Sequence, residues 1–335
     1  MENVSNVKER ADRALASVSE EKRMASVVML TYNHVKYVEK AITSILEQQT
    51  TFSFELIIGD DASTDGTLEI VNQFQERFPD IIRVIQHEEN VGASRNSYDC
   101  LRSCKGEYIA SCEGDDYWTD SQKLQTQVMF LEEHPEFIGC YHPIKFVDEN
   151  DKPIRKYLYW ASDKEVFSLK DFKGIFLPGQ IVSLVRRNLF LDPEYNPTII
   201  FEADRQIADR TNILLLLAKG DIYRLPNVMA AYRSASAGTN LTNQIYKQHI
   251  DGVLRDYQYT KRLEEYAKSV LEVSCDFEYH KKELFAKSVF RQLLHPRDYT
   301  LETAKQILDD APSAASYILS TVPFAIRFLF RKIKK

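Results

Sequence analysis

Glu113-Gly114-Asp115-Asp116 places three carboxylates within four positions. They follow a strand-like run at 107–112 and precede the aromatic pair Tyr117-Trp118. Like charges this close raise one another's pKa, and burial raises it further. A divalent cation resolves the conflict, because it takes several hard oxygen ligands. A cation held by two or three side chains keeps coordination positions open for phosphate oxygens. The cluster therefore points to a diphosphate bound through Mn2+ or Mg2+, and so to a nucleotide-dependent transferase. A second acidic run, Asp60-Asp61-Ala62-Ser63-Thr64-Asp65-Gly66, has two physical readings. Ser63 or Asp65 suits the cap of a following helix. A cap does not explain the adjacent pair Asp60-Asp61. At a strand end, the Asp61 carboxylate can accept the N3–H of a uracil ring.

The elements needed to position these groups are visible as alternating periodicities. Apolar runs at 26–30, 54–58, 81–86 and 107–112 read as buried strands. Helical spacing follows each of them, at 36–49, 66–78, 93–103 and 121–134. Val38, Ala41, Ile42, Ile45 and Leu46 share one face of the first of these helices. Alternation with short connections predicts a mainly parallel sheet with right-handed crossovers. Ligands of such sheets bind beyond the carboxyl ends of the strands. The polar clusters fall at those ends: 31–34, 59–66, 87–92 and 113–116. Further on, 137–147 reads as a strand, 148–152 as a polar loop and 180–186 as a strand. An apolar helix at 212–218 is stopped by Lys219-Gly220. Short strands are expected at 222–225 and 229–232, and only helices from about 246 onward.

Composition narrows the class. The 335 residues are 44% hydrophobic and 27% charged, which fits a globular protein with a sizeable core. A net charge of −6 argues against a general nucleic-acid binder. The five cysteines are odd in number and follow no secretory signal, so reduced thiols in the cytosol are expected. Cys100 and Cys104 stand one helical turn apart, but small core residues are the favoured reading over a zinc site. Residues 1–24 form a charged extension without an apolar core, neither leader nor span. No apolar run reaches the roughly 18 residues of a membrane helix.

The ordered motifs resemble the family 2 glycosyltransferases, inverting enzymes of the GT-A fold. They run Val27-Val-Met-Leu-Thr-Tyr-Asn33, then Asp60-Asp-Ala-Ser-Thr-Asp-Gly-Thr67, then Asn90-Val-Gly92. Lys105-Gly-Glu-Tyr-Ile109 and Glu113-Gly-Asp-Asp-Tyr-Trp118 complete the set. The likeness covers 25–240, with a polar extension at 1–24 and a helical region at 241–335. Ala62 departs from the family, which often has Gly there. The resemblance implies that Thr31 and Asn33 lie along the nucleoside, with Tyr32 near the base. Asp61 would hold the base edge, and Arg95 would contact phosphate from a loop closing at 90–95. Glu113, Asp115 and Asp116 stand at the Asp-x-Asp position. Asp115 and Asp116 are the metal candidates, and Glu113 would contact the ribose or the metal shell. Tyr232-Arg233 resembles the family's closing Tyr-Arg, and Arg233 could fork onto the diphosphate.

Inverting transfer also needs a base for the acceptor hydroxyl, and a carboxylate within reach can serve. The family places it at the start of an apolar helix after the metal motif. Asp209 stands eleven residues before Gly220, a similar spacing, although Arg210 replaces the family's aromatic. Glu202 and Asp204 are the alternatives. For each, a helix N-terminal acid favoured by the dipole is the plainer role.

The tail at 317–335 carries Ile318, Leu319, Val322, Phe324, Ile326, Phe328, Leu329, Phe330 and Ile333. It also holds Arg327, Arg331, Lys332, Lys334 and Lys335, and no acid follows Asp310. Pro323 and Arg327 argue against a spanning helix. A basic, aromatic-rich amphipathic helix suits a membrane interface, where each cation adds about 1 kcal/mol. A helix packed on the domain, or an oligomer contact, would also account for it.

The sequence thus reads as a transferase moving a sugar from a nucleotide-diphosphate donor, UDP-linked. Its acceptor is a hydroxyl of a glycan or lipid-linked saccharide in bacterial surface-polysaccharide synthesis. Its place is cytoplasmic, at the inner face of the cell membrane. A sugar nucleotidyltransferase would need a Gly-rich phosphate loop after the first strand, which Leu30-Thr31-Tyr32-Asn33 is not. A non-catalytic nucleotide-sugar-binding or scaffold subunit is the remaining alternative.

Overall fold

The computed structural model of the chain describes residues 24–234, 252–294 and 301–333. The extension expected at 1–24 lies outside them, Met24 apart. The described chain forms two compact units. The first comprises 24–154, 163–168 and 178–234. The second comprises 155–162, 169–177, 252–294 and 301–333.

The first unit is built on β1 (Ala25–Thr31), β2 (Phe54–Asp60), β3 (Ile82–Gln86) and β4 (Tyr108–Ser111), which pair in parallel. Their crossovers carry α1 (Val38–Leu46), α2 (Thr67–Arg77) and α3 (Ala93–Arg102). Every residue of β2 is buried, as a parallel strand covered on both faces requires. Val27, Met29, Ile42, Ile45, Leu56 and Ile58 join the strands to the helices in one core. Burying each such side chain contributes roughly 1.5–3 kcal/mol.

Past β4, the chain forms β5 (Tyr117–Trp118) and α4 (Lys123–Glu133). The strand expected over 137–147 is two strands, β6 (Phe137–Tyr141) and β7 (Ile144–Val147), in different sheets. Pro143 has no N–H to extend a ladder and falls at the break. Then come β8 (Pro153–Ile154) and β9 (Val166–Phe167), and α5 (Leu169–Phe172), which belongs to the second unit. The strand expected over 180–186 begins as a single 3-10 turn, Ile181–Ser183, before β10 (Val185–Arg187). Buried Gln127 donates to the Ser183 carbonyl at 2.9 Å and the Cys140 carbonyl at 3.1 Å. These bonds hold that turn against β6. The short α6 (Ile199–Glu202), α7 (Asp209–Leu217), β11 (Asp221–Arg224) and β12 (Ala230–Arg233) complete the unit.

The large sheet has the order β3-β2-β1-β4-β10-β6-β11-β9. It is parallel from β3 to β4, and β10 is antiparallel to both neighbours. A smaller sheet runs β5-β12-β7-β8. In it β12 pairs with β5 and β7, which brings the chain near Arg233 beside Asp116.

One core residue breaks the usual rule. Lys123 is fully buried at the start of α4, with its ammonium 4.2 Å from the Trp118 ring centroid. Burial pushes it down to about 7. The unfolded value is about 10.4. Between those two values the unfolded chain binds more protons, so stability should rise with pH over about 7 to 10. The full span is on the order of 5 kcal/mol. Lys123→Met should flatten this slope in urea melts taken at several pH values. A slope that persists in the variant would place its origin elsewhere.

The second unit holds α5, α8 (Gly252–Ser269), α9 (Glu278–Leu294), α10 (Glu302–Asp309) and α11 (Ala314–Ile333). Val253, Tyr257, Leu284, Phe285, Ile307 and Tyr317 form its core. Lys281 bridges Glu264 at 2.9 Å and also pairs with Glu278. No described helix is long and apolar enough to cross a membrane.

Candidate active site

The carboxyl ends of β1 and β2 lie side by side, with Thr31 paired to Asp60. Asp60 is fully buried and organises the turn beyond β2. It accepts from the Thr31 hydroxyl at 2.9 Å, the Ser63 amide at 2.9 Å and the Ser63 hydroxyl at 2.6 Å. Asn33 ties the two loops together: its amide donates to Ser63 at 3.0 Å, and its side-chain oxygen accepts from the Thr64 amide at 2.9 Å. Thr31 and Asn33 therefore use their side-chain oxygens to shape the rim. Tyr32 is half-buried between them. Ala62 has φ 61, in the left-handed region, where Gly carries no steric cost. Asp65 bonds Thr67 at the start of α2, as a cap would.

Asp61 is buried and reaches across to the loop after β3. Its carboxylate accepts from the Val91 amide at 2.6 Å and the Gly92 amide at 3.0 Å. Burial raises its pKa, opposed by those two amides. Gly92 has φ 92, and a side chain there would strike Arg205, whose backbone oxygen would lie 2.6 Å from the added carbon. Arg205 in turn donates to the carbonyls of Asn90 and Val91. The segment before α7 thus clamps the loop that Asp61 anchors. Arg95, on α3, pairs with Asp99 at 2.9 Å and lies 4.7 Å over the Phe201 ring.

At the end of β4, oxygens of Glu113, Asp115 and Asp116 lie within 4.8 Å of one another. Gly114 permits this crowding: a side chain there would meet Thr31 at 2.7 Å and His34 Nδ1 at 2.8 Å. Asp116 is buried, and its Oδ1 accepts from the Arg233 amide at 2.7 Å. Its Oδ2 is buried without a hydrogen-bond partner. Burial and the charges of Asp115 and Glu113 hold the Asp116 carboxyl well above the usual carboxylate range. A partnerless buried carboxylate oxygen beside two more acids is a donor set that fits a divalent cation.

Arg233, expected at the diphosphate, is engaged by the protein itself. It donates to the carbonyls of Asp115 and Asp148 at 2.9 Å each and to Asp151 at 2.8 Å. The guanidinium also lies 4.2 Å from the Tyr37 ring centroid. It braces the backbone of the acidic turn.

The three base candidates separate in space. Asp209 opens α7 and faces the acidic cluster. Its charge, after burial, is the largest influence raising the Glu113 carboxyl. Its own pKa is raised by burial, against the opposing charge of Arg210. Glu202 is exposed at the end of α6. Asp204 is buried and accepts from the Gln206 and Ile207 amides at 2.8 and 2.9 Å. It shapes the turn leading into α7.

Two further residues join the site. Burial raises the Tyr232 hydroxyl, and the charges of Asp116, Glu113, Asp115 and Asp209 raise it further. His34 Nδ1 is buried against Gly114 without a partner. His34, His87, His134 and His142 show no ligand spacing, so the sequence assigns His34 no catalytic role. Tyr232 was visible only as the residue before Arg233.

A model described as Glycosyl transferase family 2 matches residues 26–191. The chain is similar to TuaG of Bacillus subtilis, provisionally named a teichuronic acid biosynthesis glycosyltransferase. Identity is 38% over 216 residues, 63% of this chain and 79% of TuaG. The chain spans 59% of the length of an uncharacterized Mycobacterium tuberculosis relative, 36% identical over 217 residues. S. aureus TarS 1-349, solved in complex with UDP-GlcNAc, has a similar fold. Its TM-score is 0.59 at 18% identity, covering 89% of this chain and 81% of that one. The mannosyltransferase PcManGT of Pyrobaculum calidifontis, solved with GDP-Man and Mn2+, gives 0.51 at 17%, covering 98% and 89%. The fold likeness, the family model and the 38% identity across 79% of TuaG agree: this chain is a GT-A fold protein that belongs to glycosyl transferase family 2.

Proposed function

We propose that this chain moves a hexosyl group from a UDP-sugar to a hydroxyl of a surface-glycan saccharide, with inversion at the anomeric carbon. The observation that carries the proposal is the crowding of Glu113, Asp115 and Asp116 oxygens within 4.8 Å at the end of β4, with the Asp209 charge acting on Glu113. Asp115 and Asp116 would hold a divalent cation, Mn2+ or Mg2+, which neutralises the departing diphosphate. Glu113 stands at the edge of that site, toward the ribose or the metal shell.

The Asp61 carboxylate keeps acceptor capacity beyond its bonds to Val91 and Gly92. It would take the N3–H of uracil while holding the loop in place. Tyr32 would line the base, and Arg95, exposed on α3, would reach phosphate by exchanging its partner Asp99. Thr31, Asn33 and Arg233 act as positioning residues, since their polar atoms already hold protein groups. Asp209 takes the acceptor proton as the new C–O bond forms and the bond to the diphosphate breaks. Burial favours this role, because a raised carboxyl pKa makes a stronger base. TuaG and TarS support the surface-glycan acceptor class.

Thermal shift with UDP-sugars and GDP-sugars, each with Mn2+ or Mg2+, tests the donor. A rise confined to UDP-sugars plus metal is expected, and a rise with GDP-sugars alone would overturn the base assignment. Saturation at 100 times Kd corresponds to about 2.7 kcal/mol. Donor binding without any turnover on saccharide acceptors would favour a scaffold subunit.

A further inference from the structure

We propose that α11 is an interfacial helix that seats the second unit on an anionic lipid surface. Two independent observations carry this. The first is the way α11 divides its faces. Tyr317 is buried, donates its hydroxyl to Glu278 at 2.8 Å and meets the Phe285 ring edge-on at 5.9 Å. Phe324, two turns on, meets the Tyr279 ring at 5.4 Å. These residues dock α11 on α9. The opposite side presents Ile318, Leu319, Val322 and Ile326, which are 55%, 75%, 64% and 50% exposed. At 100° per residue they span one continuous stripe facing away from Tyr317 and Phe324. No charged residue interrupts 314–326. A helix face meant for water would carry polar groups there, and a contiguous apolar stripe marks an interaction surface.

The second observation is charge. In sequence the stripe is followed by Arg327, Arg331, Lys332, Lys334 and Lys335, with no acid after Asp310. The chain as a whole carries −6, so this stretch of sequence is cationic in an acidic protein. Apolar contact followed by cations matches the acyl boundary and headgroups of an anionic bilayer. A second copy of the chain fits less well. In a parallel twofold pair the two cationic ends would meet, and in an antiparallel pair each would meet a stripe without acids. The helix would lie in the interface plane, since no described helix can cross a membrane.

The test uses the full chain in vesicle co-sedimentation. Vesicles of phosphatidylglycerol and phosphatidylcholine are compared with phosphatidylcholine alone. Binding is expected on the anionic vesicles and should fall about tenfold or more when salt is raised, as screening requires. Leu319→Glu with Val322→Glu should abolish it, and Arg331→Glu with Lys332→Glu should weaken it about tenfold or more. The substituted aliphatic positions are exposed, so the melting temperature should not move. Absence of binding, or equal binding to both vesicle types, would overturn the proposal. So would a dimer in light scattering that Leu319→Glu dissociates, which would assign the stripe to a second copy. The assay needs neither donor nor turnover, so its failure leaves the transferase reading untouched.

Discussion

Asp116→Asn is expected to abolish transfer and, in the metal-free protein, to raise the melting temperature. Both effects come from the same crowding. Asp116 is buried, its Oδ2 has no partner, and two other carboxylates lie within 4.8 Å. Asparagine keeps the shape, and its Oδ1 can still accept from the Arg233 amide. It removes a carboxyl whose ionised form is opposed by burial and by two neighbouring acids, which should stabilise by about 1–3 kcal/mol. For a unit of this size that is roughly 2–4 °C per kcal/mol. The same exchange deprives a cation of an anionic ligand. Loss of several kcal/mol of charge stabilisation lowers the rate about 10³-fold or more. The pH profile follows in sign. Glu113 and Asp116 have folded values raised above their unfolded ones. The folded state therefore retains protons that the unfolded chain loses. Metal-free stability is full below the unfolded carboxylate range of about 4 and declines as pH rises above it. The variant should show a shallower decline. Calorimetry with and without Mn2+, paired with a donor-turnover assay, checks both halves. Unchanged transfer, or a lower melting temperature, would remove Asp116 from the metal role.

Asp209→Asn should separate chemistry from binding. The expected loss in kcat is about 10²–10⁴, the range of a positioned general base. Affinity for UDP and metal should stay within a fewfold, because Asp209 opens α7 rather than holding either loop of the nucleotide side. Removing a charge that raises Glu113 should also bring the Glu113 carboxyl back toward its ordinary range. Calorimetric titration of UDP beside steady-state turnover reads the split. Full activity would transfer the role to Glu202 or Asp204. Asp204→Asn is a useful contrast: its carboxylate caps the Gln206 and Ile207 amides, so it should lower stability before it lowers kcat selectively.

Several side chains illustrate where reading the chain stops. Thr31 and Asn33 were placed along a nucleoside by motif position. In the fold their side-chain oxygens also meet Asp60 and Thr64, partners about 30 residues away. Arg233 was placed at the diphosphate because a guanidinium suits phosphate. Asp115, Asp148 and Asp151 occupy its donors instead, and only the folded loop at 148–151 brings two of those there. The break between β6 and β7 was signalled by Pro143 and overlooked in a strongly apolar run.

What the sequence determined alone was local and periodic. Apolar runs bounded by turns defined the strand ends, and polar clusters at those ends marked one rim. Three acids in four positions required a counter-charge whatever the fold. The tertiary structure decided which groups of that rim remain open to a ligand. Hydrogen-bond satisfaction is a long-range property: an oxygen is available only if no distant amide or hydroxyl has claimed it. It also set three acids of one short segment apart: the Asp209 charge acts on Glu113 from the start of α7, Asp204 accepts from the turn before it, and Glu202 is exposed.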